Sequence, residues 1–263
     1  MKARHDQHFL RDRRAIERIV ALSEVSERRV LEIGPGEGVL TAALLQAGAR
    51  VTAIELDLSL VEGLEERFAD EIRAGAFTLI HGDAVRVPYP AFDIVVANLP
   101  YSASSPITFR LLDAGFEQAV LMYQREFAER MAAPVGTPEC GRLSVMVQTY
   151  ADVKLCFNLP PGAFSPPPQV ASTVVRLTPH EPPYYIADRE VYAAVVRELF
   201  SHRRKTVRNG LRGGRGALGA ENVERAITEL PEEILSMRPE ELSLMVFAMI
   251  ANLCTGEKKP SPQ

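Results

Sequence analysis

Short runs of apolar, often β-branched residues recur along the first half of the chain, at Val30–Ile33, Val51–Ile54, Phe77–Ile80, Ile94–Ala97 and Ala119–Tyr123. Runs without polar interruption predict strands covered on both faces. The segments between them, such as Leu40–Ala47 and Leu58–Phe68, carry helical spacing. Strand and helix therefore alternate, which predicts a doubly wound α/β sheet with right-handed crossovers. Two later runs, Val153–Leu159 and Thr173–Leu177, flank the proline-rich stretch PPGAFSPPPQV, too long and stiff for a tight hairpin. They predict an antiparallel edge pair that completes a seven-stranded, mostly parallel sheet.

The pattern changes after Pro179, where HEPP reads as a linker because Pro182 and Pro183 cannot donate backbone hydrogen bonds. Beyond it Val191, Val195, Val196, Leu199 and Phe200, and later Leu242, Met245, Val246, Met249 and Ile250, have the spacing of buried helix faces. The expected organisation is an α/β domain over 1–183, a small C-terminal helical domain over 184–254, and a disordered tail over 255–263.

Composition narrows the function classes. The chain of 263 residues is 46% hydrophobic and 24% charged, enough for a sizeable core without cross-links. Cys140, Cys156 and Cys254 are far apart and form no CxxC pair, so free thiols are expected rather than metal ligands or disulfides. The opening MKARHDQHFL has no apolar core, and no apolar run approaches the roughly 18 residues that span a bilayer, which predicts a cytoplasmic protein away from membranes. A net charge of −4 disfavours a general nucleic-acid binder, but the distribution is uneven. Arg197, Arg203, Arg204, Lys205, Arg208, Arg212 and Arg215 face a single acid, Glu198, within one stretch. Lys2, Arg4, Arg11, Arg13, Arg14 and Arg18 form a second basic cluster. Two such clusters on an acidic chain point to phosphate contacts.

The first strand runs into Glu32-Ile33-Gly34-Pro35-Gly36-Glu37-Gly38 and then a helix, the strand, glycine turn and helix order that receives nucleotides at a sheet's carboxyl edge. A dinucleotide fingerprint would place its third glycine at Val39. Here it falls at Gly38, a GxGxG spacing that favours S-adenosylmethionine over NAD. Glu55 follows at the tip of the second strand, about 20 residues past the turn, where a carboxylate can accept ribose hydroxyls. Gly82-Asp83-Ala84 follows the third strand, and Asp83 can accept from an adenine amine or cap the next turn.

The fourth strand ends in Asn98-Leu99-Pro100-Tyr101. An exocyclic adenine amine is a weak nucleophile, because its lone pair is delocalised into the ring. The Asn98 side-chain oxygen and a backbone carbonyl at Leu99 can accept its two N–H groups and leave the lone pair exposed. Tyr101 can stack on the base, and Phe164 in the proline-rich loop is expected to close the other face.

At this point the chain resembles the KsgA family of ribosomal RNA adenine dimethyltransferases from about Gln7 to Asn209. The ordered set is QHFL, EIGPGEG, Glu55, GDA, NLPYSASSPI, QRE, GRLSV, FSPPPQV and FSHRRKTVRN. The resemblance implies a Rossmann-like methyltransferase sheet and dimethylation of two adjacent adenosines near the 3′ end of small-subunit ribosomal RNA during ribosome biogenesis. It implies cofactor contacts at Gln7, His8, Leu10, Gly34, Glu55, Asp83 and Asn98, beside the turn glycines Gly36 and Gly38. Beside it, the residues themselves lead us to expect a monomer without metal, whose Arg203, Arg204, Lys205 and Arg208 meet RNA phosphates, with the target base flipped into the Asn98–Tyr101 notch. Bacterial members more often have asparagine where this chain has His8, and the short N-terminus and the histidine look more like archaeal or eukaryotic relatives. The competing readings are a large-subunit RNA or DNA adenine methylase of the same fold and a non-catalytic assembly or transcription factor.

Overall fold

The computed structural model describes residues 7–255; Lys2 and Arg4 of the N-terminal basic cluster, and positions 256–263 of the expected tail, lie outside them. Contacts divide the chain into two units: one made of the N-terminal stretch through Glu129 with Ala151–Pro179, the other of Arg130–Tyr150 with residues from His180 onward.

The first unit is built on strands β1 (Phe9–Leu10), β2 (Arg29–Ile33), β3 (Arg50–Glu55), β4 (Phe77–His81), β5 (Ile94–Asn98), β6 (Gln118–Gln124), β7 (Ala151–Leu159), β8 (Phe164–Ser165) and β9 (Ser172–Pro179). Seven of them form one sheet in the order β4-β3-β2-β5-β6-β9-β7. The strands β2 to β6 pair in parallel, and the chain reverses its winding direction between β2 and β5. Nucleotides bind at such a reversal, beyond the carboxyl ends of the strands. The last two strands pair antiparallel, β9 on β6 and β7 on β9, as the sequence predicts. Val30, Leu31, Val51, Ala53, Val95, Val96, Ala119 and Val120 are buried, which explains why these strands read as continuous apolar runs rather than alternating ones.

Helices α1 (Arg13–Ser23), α2 (Val39–Gln46), α3 (Leu58–Arg67) and α4 (Ser104–Ala114) belong to this unit. Asp12 caps α1 by accepting from Ala15 N at 3.1 Å, and Asp57 caps α3 through Ser59 N at 3.0 Å. The pair β1 and β8 makes a separate two-stranded ribbon, with Phe9 opposite Ser165 and Leu10 opposite Phe164.

The second unit contains α5 (Arg142–Tyr150), α6 (Arg189–Ser201) and α7 (Leu244–Thr255) among its helices. Here the structure departs from the sequence boundary at 183, because Arg130–Tyr150 joins the C-terminal helices. The reason is a buried polar latch: Thr149 Oγ1 and Tyr192 OH lie 2.7 Å apart, and Tyr150 meets the Tyr192 ring edge-on. On α7 the expected face is also shifted. Met245 is 63% exposed, while Phe247, Ile250, Ala251 and Cys254 are buried. A helix apolar on nearly every side leaves periodicity without a phase. Among the described residues no helix is long and apolar enough to cross a membrane, and all three cysteines are free.

Candidate functional site

The carboxyl ends of β2, β3, β4 and β5 converge on a cavity of about 260 Å³ in the first unit. Its floor is the turn after β2. Gly34, Gly36 and Gly38 all have positive φ, at 68°, 60° and 76°, a region costly to any side chain with a Cβ. Gly34 N donates to Ile54 O at 2.9 Å and Gly38 N to Pro35 O at 2.9 Å, fixing the turn against β3. At Gly36 the space is also taken, since a Cβ there would lie 2.6 Å from the Phe9 ring.

Glu55 closes one side. It is buried, and its carboxylate accepts from Gly36 N at 3.1 Å, Leu56 N at 2.9 Å and Asp57 N at 3.0 Å. Burial pushes its pKa up, and the three amide bonds act against that shift. The carboxylate is thereby held in one orientation with lone pairs left for further donors. Gln7 is drawn to the same corner by a 3.3 Å bond from Nε2 to Asp57 Oδ2. Leu56 and Leu60 supply an apolar wall, and Leu56 is exposed despite its size.

At the neighbouring strand tip, just after β4, Asp83 Oδ1 accepts from Val85 N at 2.8 Å, so the turn-capping role holds. Its other oxygen lies 3.4 Å from Arg86 Nε at the surface, and the residue also lines the cavity. Asn98 Nδ2 donates to His8 O at 2.9 Å, which leaves its Oδ1 as an acceptor. Leu99, Pro100 and Tyr101 continue the wall. The Tyr101 hydroxyl lies 2.7 Å from Ser172 Oγ, and its ring sits 5.7 Å from that of His8. His8 is fixed in turn by a ring nitrogen 2.9 Å from Pro166 O, beside β8. The β1–β8 ribbon thus carries Gln7, His8 and Leu10 over the strand tips.

This constellation suits a nucleoside: an acid at a strand tip for hydroxyls, a polar turn, an apolar slot and a glycine floor that tolerates no side chain. A family model described as ribosomal RNA adenine dimethylase matches residues 1–249. The chain belongs to the ribosomal RNA adenine dimethylase family. It is 59% identical over 252 residues, 96% of this chain and 98% of the relative, to a "probable ribosomal RNA small subunit methyltransferase A" of Methanospirillum hungatei. A Halobacterium salinarum protein with the same description is 47% identical over 98% of this chain and 92% of its own length. Among solved structures, a dimethyladenosine transferase from Plasmodium falciparum superposes with TM-score 0.78 at 28% identity, covering 94% of this chain and 96% of that one. The 23S rRNA methyltransferase ErmE gives 0.65 at 27%, covering 94% and 99%.

In this adenine dimethylase the structure brings Gln7, His8, Leu10, Gly34, Gly36, Glu55, Asp83, Asn98, Leu99, Pro100 and Tyr101 around one cavity. Two expected residues are elsewhere. Gly38 is buried against the core, where a Cβ would lie 2.5 Å from Phe68 and 2.7 Å from Leu64. Phe164 does not line the cavity; it is 4% exposed and belongs to the core cluster with Leu10, Ile16 and Ile19. Its backbone is paired opposite Leu10 in the β1–β8 ribbon.

Residues that sequence reasoning missed include Phe9, Leu56 and Glu32. The Glu32 carboxyl is buried beside the cavity, accepts from Thr41 Oγ1 at 2.7 Å, and has its pKa pushed up to about 8, by burial above all and by nearby Glu55. Its only signal was an acid inside an apolar run. In the second unit Arg203, Arg204 and Lys205 are exposed in the turn after α6. Arg203 donates to Pro138 O and lies 3.7 Å from Glu240, and Arg208 pairs with Glu232. Arg204 and Lys205 are the more available pair.

Proposed function

We propose that this chain transfers methyl groups from S-adenosylmethionine to the N6 amines of two adjacent adenosines near the 3′ end of small-subunit ribosomal RNA. The observation that carries this reading is the orientation of Asn98. Its amide nitrogen is committed to His8 O, so its oxygen is the group left to accept an N–H from a base entering beside Tyr101.

The cavity residues fit the cofactor. Glu55 is preset by three backbone amides to receive ribose hydroxyls, Asp83 at the next strand tip is available for the adenine amine, and Gly36 leaves the floor free of a side chain. Bound there, S-adenosylmethionine supplies an electrophilic methyl carbon on a sulfonium. The chain's own residues do the rest by position. Asn98 Oδ1 and the Leu99 carbonyl accept the amine's two N–H groups and hold it so that its lone pair is less delocalised into the ring and faces the methyl carbon. Tyr101 presents a ring face for stacking, worth roughly 1–3 kcal/mol per base. No side chain needs to take the amine proton before transfer, since the nitrogen loses it readily once alkylated. The buried Leu99 and Ile107 give the notch side of the cavity an apolar lining.

The RNA partner is the small-subunit ribosomal RNA or its precursor particle, met through backbone phosphates at Arg204 and Lys205 with help from Arg203 and Arg208. The protein works in the cytoplasm as a monomer without metal. The test is mass spectrometry of adenosines from undermethylated small subunits incubated with protein and S-adenosylmethionine. Dimethyladenosine at two neighbouring positions, absent with Asn98→Ala, is expected. Modification of large-subunit RNA or DNA in its place would assign the chain to another branch of adenine methylases.

A further inference from the structure

The turn after β4 is held by a residue from a distant helix. Residues 83–87 wind once, with Arg86 N and Val87 N donating to Asp83 O at 2.8 and 2.9 Å. Such a turn leaves carbonyls at its carboxyl end without partners. Arg110, two turns into α4, supplies them. Its guanidinium donates to Ala84 O at 2.5 Å and to Val87 O at 2.9 Å. It also lies 4.4 Å over the Tyr89 ring, and the Tyr89 hydroxyl donates to the same Ala84 carbonyl at 2.9 Å. The planar fork of arginine spans two carbonyls at once, which a lysine ammonium on a flexible stem does not reproduce.

The other end of α4 is the wall of the base notch. Tyr101–Ala103 forms a short 3-10 turn that runs directly into the helix, and Ser104 Oγ donates to Pro100 O at 3.2 Å. Inside the helix, Thr108 Oγ1 lies 2.8 Å from the Tyr123 hydroxyl of β6, a buried contact that stops the helix sliding along the sheet. One anchored helix therefore fixes Leu99–Tyr101 at its start and, through Arg110, the turn that carries Asp83. Space is tight there too, because a Cβ at Gly82 would lie 2.5 Å from Val87.

We infer that Arg110 is a positioning residue: by clamping the Ala84 and Val87 carbonyls it holds Asp83 where it reads the cofactor's adenine amine, in register with the Asn98–Tyr101 notch. This rests on the cofactor reading given under the proposed function. Arg110 does not line the cavity, so its loss acts on cofactor recognition rather than on the transfer step.

The experiment compares the binding of S-adenosylhomocysteine with that of S-inosylhomocysteine, which lacks the amine, by calorimetry on the full chain. Wild-type protein prefers the amino ligand. Arg110→Gln weakens S-adenosylhomocysteine about tenfold while hardly affecting the inosine form, because only the former uses the Asp83 contact. Arg110→Lys falls between the two, and KM for S-adenosylmethionine rises while kcat stays near wild type. Tyr89→Phe removes one donor from the same carbonyl and shifts the preference the same way by less. It carries the test under the same criterion should Arg110→Gln fail to fold. Equal weakening of both ligands, unchanged preference in the variants, or no preference in wild type overturns the inference. If wild-type protein binds neither ligand, the cofactor reading itself fails and this inference with it.

Discussion

The side-chain amide of Asn98 donates to the main-chain carbonyl of His8 at 2.9 Å, joining the tip of β5 to a segment 90 residues earlier. That bond selects which end of the amide faces the cavity. Asn98→Ala removes both the tether and the acceptor, and the methyl-transfer rate at saturating substrates should fall by roughly 100-fold or more, the loss typical of a preorganised polar group at a reacting centre. Asn98→Asp keeps an acceptor but sets a carboxylate against the His8 carbonyl, so it should lose activity as well. Single-turnover methyl incorporation measures both; a rate for Asn98→Ala within twofold of wild type would remove Asn98 from the machinery.

Gly36 illustrates a steric requirement with two separable parts. Its φ of 60° disfavours any side chain, and a Cβ would meet the Phe9 ring at 2.6 Å. Gly36→Ala should destabilise the fold by about 2 kcal/mol and weaken cofactor binding, because the turn and β1 both border the cavity. Adding Phe9→Ala to that variant should restore only part of the stability, since the backbone cost remains. Urea unfolding of the single and double variants checks this; full restoration would mean that the overlap alone mattered.

Why the sheet was legible and the ribbon was not follows from length. Strands such as Arg50–Glu55 and Gln118–Gln124 are long enough, and buried enough, to print apolar runs in the sequence. Phe9–Leu10 and Phe164–Ser165 are two residues each, so they carry no period. Their pairing, which swings Phe164 into the core and Phe9 over Gly36, is a tertiary fact. The glycine turn, Glu55 and Asn98–Tyr101 were readable because each sits at a strand tip, where topology alone brings them together. Arg110, Arg203 and Arg208 were not, since whether a surface cation meets a carbonyl, a carboxylate or water depends on neighbours from 23 to 65 residues away.

That difference in engagement makes a prediction for the RNA surface. Arg204 and Lys205 are exposed beside Arg203, which is tied to Pro138 O and Glu240. Neutralising Arg204 and Lys205 together should weaken binding to undermethylated small subunits and flatten the slope of log affinity against log salt by about 1.4 to 1.8, the release expected for two phosphate contacts. Arg203→Gln should instead lower the thermal midpoint more than it changes the slope. Binding titrations across a salt series separate the two. An unchanged slope for the double variant would place the RNA contacts elsewhere.

The Glu32 carboxyl gives the fold a pH dependence with a definite sign. Burial pushes its pKa up to about 8 from an ordinary 4.5, with Glu55 adding to the shift and the Thr41 hydroxyl opposing it. Below about pH 4.5 the group is protonated folded and unfolded, and Glu32 takes nothing from the stability of the fold. As pH rises toward 8, the unfolded chain releases a proton that the folded chain retains, so stability declines across that window and levels off above it. Glu32→Gln preserves an acceptor for Thr41 and removes the titration. Relative to wild type it should gain stability at pH 8 and little at pH 5. Glu55, also shifted upward, leaves a residual slope of the same sign in the variant. Urea midpoints at pH 5, 6.5 and 8 provide the comparison. Parallel curves for the two proteins would mean that Glu32 is already ionised in the folded state, held so by the cavity in spite of its burial.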